Sequence, residues 1–244
     1  MKAITILVLN LTLSSAFAAG SLINYQVNGE NYEGYYVSAP GNAPLVLLIH
    51  DWDGLTDYEI KRSNMLADMG YSVFAADLFG AGVRPTEVKD KRQHTAELYK
   101  DRQKMRSLMT GALAKAESLG GNRNNAIAMG YCFGGAAVLE LVRSGADLKG
   151  FATFHGGLKT PPGQNYSDAK GRLLIMHGSA DTAITMDQFA SLTNELEGSG
   201  IAHEMITYSG APHAFTVFGS GRYREEADRK SWKRFSEFLK EVSQ

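Results

Sequence analysis

Apolar positions along the chain fall into two kinds of run. Leu45–His50, Tyr71–Ala76, Ala126–Gly130 and Leu173–His177 are short and continuously apolar. Such runs are expected of strands buried on both faces. Leu148–Phe154 and His203–Tyr208 predict two further strands. Tyr25–Val27 and Tyr32–Ser38 predict an opening pair joined by a turn at Asn28-Gly29-Glu30. The second kind repeats at helical spacing. Thr56 and Glu59 form a capping-box pattern that starts a helix, and Gly70 is placed to end it. His94–Leu119 predicts one long helix, with Met105, Leu108, Met109 and Ala112 on one stripe. Ala136–Arg143, Thr185–Glu197 (Thr185 and Gln188 at its start) and Arg222–Val242 predict three more. In the last, Phe235, Phe238, Leu239 and Val242 share a face. Alternating strands and helices imply a single, doubly wound, mostly parallel α/β sheet flanked by helices. The spacing shows no repeat, no linker and no room for a large cap.

The N-terminal run does not fit this scheme. Lys2 precedes an apolar stretch from Ile4 to Leu13, and then comes Ala16-Phe17-Ala18. A charged start, a short apolar core and an A-x-A site are the pattern of a secretory signal. Residues 1–18 are therefore expected to be a signal peptide and 19–244 the folded domain. The run is too short to span a hydrocarbon core of roughly 30 Å. The expectation is an exported protein, periplasmic or extracellular, with no membrane span. Net charge of −1 and a pI near 6.6 give no basic footprint for nucleic acid. A single cysteine excludes an intramolecular disulfide. Cys132 is thus either a buried small hydrophobe or a reactive thiol.

Its neighbours decide between these. Gly130-Tyr131-Cys132-Phe133-Gly134-Gly135 lies between a predicted strand and a predicted helix. That is the G-x-S-x-G nucleophile elbow with cysteine in the serine place. The helix N-terminus stabilises negative charge there and makes a thiol easier to ionise. Asp181 follows the penultimate strand and His213 follows the last. Nucleophile, acid, base is the chain order of α/β-hydrolase folds. In these roles His213 draws the proton from Cys132, and Asp181 fixes the His213 tautomer. The stretch His50-Asp51-Trp52-Asp53-Gly54 ends the first core strand. The backbone N–H groups of Trp52 and Phe133 are the expected oxyanion hole.

These stretches, with Ala76-Asp77-Leu78-Phe79-Gly80, His177-Gly178-Ser179-Ala180-Asp181 and Pro212-His213-Ala214-Phe215, resemble the dienelactone hydrolase family. The likeness runs from about residue 22 to 241. It implies a minimal, capless α/β-hydrolase with the triad Cys132, Asp181 and His213. It also implies hydrolysis of an enol lactone without a metal or organic cofactor. Two positions depart from the family pattern. Asp51 stands where the family commonly has Glu, a carboxylate that contacts the resting thiol. Asp51 reads either as such a thiol-modulating group or as a loop residue capping its own turn. The family's two substrate-binding arginines have Ala81, or a residue close by, and Val217 at their places. That loss favours an apolar or neutral ester, or a lactone.

Phe79, Tyr131, His155 and Phe215 are candidates to line an apolar pocket. His50 and His177 sit at strand ends and read as packed residues. The histidines show no metal-ligand spacing, so no metal is expected. The reading is a secreted hydrolase of small esters or lactones working through an acyl-enzyme. Its rivals are a binding protein on an inactive scaffold and a thiol-based redox role, although a disulfide cycle within one chain is excluded.

Overall fold

The computed structural model describes residues 20–243. The expected signal segment and its cleavage site at Ala18 lie outside them. The elements in chain order are β1 (Ser21–Val27), β2 (Glu30–Val37), β3 (Pro44–Ile49), α1 (Asp57–Ala67), β4 (Ser72–Ala76), α2 (Val88–Lys100), α3 (Arg102–Ser118), β5 (Asn122–Tyr131), α4 (Phe133–Arg143), β6 (Gly150–Phe154), β7 (Arg172–Gly178), α5 (Met186–Ser199), β8 (His203–Tyr208) and α6 (Glu225–Val242). One sheet holds all eight strands in the order β1-β2-β4-β3-β5-β6-β7-β8. β1 and β2 are antiparallel to each other, and β2 is antiparallel to β4. The remaining pairings are parallel. The β1–β2 turn places Asn28 and Gly29 at positive φ, as a two-residue hairpin turn of type I′ requires.

Strand alternation divides the core in two. Leu45, Leu47, Ile49, Leu173 and Ile175 face α3, α4 and α5. Val46, Leu48, Leu174 and Met176 face α1 and α6. Each such side chain is fully buried, worth roughly 1.5–3 kcal/mol apiece in apolar burial. With both faces covered, the C-terminal strand ends are the open edge on which the loops meet. Those after β3, β5, β7 and β8 carry the expected site residues.

The single long helix expected over 94–119 is two helices. Asp101 has non-helical φ and ψ of −112° and 81°, and its carboxylate accepts from Lys104 N–H. A short acidic side chain competing for backbone N–H groups ends α2 and caps α3. α2 buries only Leu98. α4 begins at Phe133, directly after Cys132 and earlier than the apolar pattern indicated. α1 carries the complete capping box of Thr56 and Glu59. Among the described residues no helix is long and apolar enough to cross a membrane.

Candidate active site

Three glycines explain the turn at Cys132. A Cβ on Gly130 would stand 2.3 Å from the Gly134 carbonyl. One on Gly134 would stand 2.3 Å from the Ile49 oxygen, and one on Gly135 would stand 2.7 Å from Gly156 Cα. All are backbone atoms of core elements and cannot move aside. Cys132 itself sits at φ +50°, in the left-handed region that non-glycine residues avoid. It is the N-cap of α4 and remains partly exposed.

His213 comes from the loop after β8, Asp181 from the loop after β7. His213 Nε2 lies 3.1 Å from Cys132 Sγ, and Nδ1 lies 2.7 Å from Asp181 Oδ2. The other Asp181 oxygen accepts from the N–H groups of Ala183 and Ile184, both at 2.9 Å. Burial opposes charge on both side chains, but their mutual bond prevails. Asp181 is held below its ordinary range by His213 and the Ile184 N–H. Against its own desolvation, His213 is pushed up to about 10 by Asp181 and Cys132. The three residues are therefore joined as a hydrogen-bonded chain on three different loops.

The N–H groups of Trp52 and Phe133 have no protein acceptor among the described residues. Asp51 is almost fully buried, and its Oδ1 accepts from Asp53 N–H at 2.8 Å. No hydrogen bond joins it to Cys132 among the described residues, so the turn-capping reading matches its contacts. Burial and the nearby Asp53 push its carboxyl up to about 6, while Lys91 and His213 pull the other way. His50 is fully buried, with Nδ1 on the Asp51 carbonyl and Nε2 accepting from Leu78 N–H. Burial lowers it to about 4, so it is a neutral brace for the β3 loop.

The expected pocket-lining residues separate. Phe79 is half-buried and packs 5.5 Å from Phe133. Tyr131, His155 and Phe215 are not pocket-lining, since all three are fully buried. Tyr131 packs on Tyr58 and Phe154 beneath the site. It ends a strand, so its side chain falls on the α1–α6 face, opposite Phe133. His155 and Phe215 pack against each other behind His213.

The open space lies elsewhere. A groove of about 560 Å³ is lined by Tyr99, Arg102, Ala136, Arg143, Gly157 and Lys159, among others. It begins beside the elbow, where Gly157 N–H donates to the Cys132 carbonyl and the Tyr99 ring packs on Phe133. Burial, with Cys132 close by, pushes the Tyr99 hydroxyl up. At the other end, Glu140 is fully buried and pairs with Arg102, Arg106 and Arg143. Three guanidinium groups on one carboxylate leave a cationic surplus. None of these groove residues is marked in the sequence. Tyr99 sits in a polar helical stretch, and the arginines are ordinary surface residues until folding gathers them.

A family model described as the dienelactone hydrolase family matches residues 33–243. A Salmonella typhimurium protein with the provisional name carboxymethylenebutenolidase is 22% identical over 93% of this chain and 89% of its own length. A solved dienelactone hydrolase-like promiscuous phosphotriesterase from metagenomic libraries superposes with a TM-score of 0.85 at 25% identity, covering 91% of this chain and 98% of its own. A second solved structure, m3DLH, gives 0.86 at 28%, covering 92% and 98%.

Proposed function

The chain belongs to the dienelactone hydrolase family and is a hydrolase, and from that premise we propose that it cleaves small esters or lactones through a thioester on Cys132. The observation that carries this reading is the unbroken chain from Asp181 through His213 to Cys132, at 2.7 and 3.1 Å. His213, raised to about 10 beside Asp181 and Cys132, holds on Nε2 the proton it shares with Sγ as the sulfur attacks the carbonyl carbon. The oxyanion of the tetrahedral species meets the unpaired N–H groups of Trp52 and Phe133. Collapse expels the alkoxide, which takes the proton from Nε2 and leaves a thioester. Water then attacks the thioester, His213 takes its proton, and Cys132 leaves with that proton restored. Asp181 holds the imidazole in the required tautomer and balances its charge throughout.

The groove refines the substrate. The places of the family's arginines are vacant at Ala81 and Val217, but Arg102, Arg143 and Lys159 line the groove beside the nucleophile. Esters or lactones with a carboxylate at the far end of the group therefore suit this site better than fully apolar ones. This revises the expectation of a neutral substrate. The leader-like residues 1–18 support an exported enzyme, which N-terminal sequencing of the mature protein tests.

The deciding experiment is hydrolysis of p-nitrophenyl esters and simple lactones by wild type and Cys132→Ala. Turnover that disappears in the variant supports the reading. Equal turnover in both, or none in wild type across neutral and anionic esters, moves the weight to a binding protein on a hydrolase scaffold.

A further inference from the structure

The base stands on a turn with a residue at positive φ beside it. Ala214, next to His213, adopts φ +62°, and His155, packed edge-on to His213 at 5.3 Å, adopts φ +41°. Neither conformation is favoured by a residue bearing a Cβ, so surrounding contacts must impose them. The contacts converge on Thr216, fully buried and three residues beyond the base.

Thr216 Oγ1 lies 2.8 Å from the Tyr58 hydroxyl of α1 and 2.8 Å from His155 Nε2. The Thr216 carbonyl accepts from Arg62 Nη2 at 3.0 Å. Arg62 is itself fully buried, donates from Nε to the Tyr58 hydroxyl at 3.3 Å, and pairs with Asp228 of α6. An arginine only donates, so the Tyr58 hydroxyl accepts from Arg62 and shares a further hydrogen bond with the Thr216 hydroxyl, which in turn bonds His155 Nε2. Burial drives His155 well below its ordinary range, so it joins the chain as a neutral imidazole. Buried arginines are rare in proteins, and this one serves neither the nucleophile nor the groove.

We infer that Thr216 is a positioning residue for the base: held by Arg62, Tyr58 and His155, it fixes the loop so that His213 bridges Cys132 and Asp181. The inference rests on the triad reading of those three residues. The titratable groups facing His213 are Cys132, Asp181, Asp51, His155 and His177. Of these, only His155 touches Thr216, and it is fully buried and neutral, so a shifted pH profile in Thr216→Val reports displacement of the His213 imidazole.

The test is Thr216→Val, which keeps the β-branched shape and removes the hydroxyl, beside Thr216→Ser, which restores it. Two readouts are taken on the whole protein. One is kcat and KM for an ester across pH. The other is the pH dependence of Cys132 alkylation by iodoacetamide, which needs no turnover. Thr216→Val is expected to lower kcat roughly tenfold or more with KM nearly unchanged. It should also shift the alkylation profile, and Thr216→Ser should return both to near wild type. Tyr58→Phe, which removes the hydroxyl partner of Thr216, should give the same shift in smaller measure and serves if Thr216→Val does not fold. An unchanged alkylation profile and kcat in a folded Thr216→Val, or in Tyr58→Phe in its place, would overturn the inference and leave the triad standing. Absence of ester turnover in wild type, with alkylation still dependent on Thr216, would overturn the hydrolase mechanism and leave the positioning role standing.

Discussion

The nucleophile and the base reach the same few ångströms of space by opposite means. Cys132 is placed by its immediate neighbours in sequence: three glycines whose missing Cβ atoms let backbone pack on backbone. His213 is placed by residues from three distant segments, Tyr58 and Arg62 on α1, His155 after β6 and Asp228 on α6. The first arrangement is steric and local. The second is polar, buried and distributed. The contrast separates what fixes a turn from what fixes a loop: a turn needs space, a loop needs partners.

Breaking the polar side should cost most. Arg62→Met leaves Asp228 without its guanidinium partner in a mostly buried site and strips Tyr58 and the Thr216 carbonyl of a donor. Removing one partner of a buried pair costs about 3–5 kcal/mol, to be read as a lowered midpoint in urea. The steric side comes next. Gly134→Ala puts a methyl 2.3 Å from the Ile49 oxygen and 2.5 Å from the His50 oxygen. Overpacking of this kind costs about 1–3 kcal/mol, and the strain falls on the elbow, so activity should fall further than stability.

A pH titration sharpens the comparison, because the base loop also carries the charge. His213 is raised to about 10 in the folded protein, so its stabilisation is complete below its ordinary value near 6.5 and is lost as pH rises towards 10. Asp181 is lowered, so its share is present above the ordinary carboxylate range and is lost on acidification. The melting temperature of wild type should therefore fall between pH 6.5 and 10, and His213→Gln should flatten that slope. A slope unchanged in His213→Gln would mean that the imidazole is not the group responsible. The smallest effect concerns the groove. Arg102→Ala should reduce the preference for carboxylate-bearing over neutral esters several-fold, by roughly 0.5–1.5 kcal/mol in kcat/KM. The rate on neutral esters should change little.

The same contrast governs how much could be read from the sequence. The core strands and the elbow were legible because burial and glycine spacing are local patterns, and Gly130, Gly134 and Gly135 announce the close approach they permit. Asp181 and His213 were legible as positions after particular strands. The break at Asp101 was not, because a capping carboxylate inside a polar helical stretch looks like any other surface acid. Thr216, Tyr58 and Arg62 were not, because what joins them to the base loop is contact between residues more than 60 positions apart. Tyr131 was misplaced because alternation at a strand end turns it to the far side of the sheet from Phe133.

The loops at the open edge of the sheet hang from separate strands, and the groove walls come mainly from the segment after β6, with Tyr99 of α2, Arg102 of α3, two residues of α4 and two around the start of α5. A lineage can therefore rewrite the groove without touching a core strand or the elbow. Exchanging Tyr99, Arg102 or Lys159 would change the diet of the site, while the glycines around Cys132 and the buried arginine behind the base stay untouched.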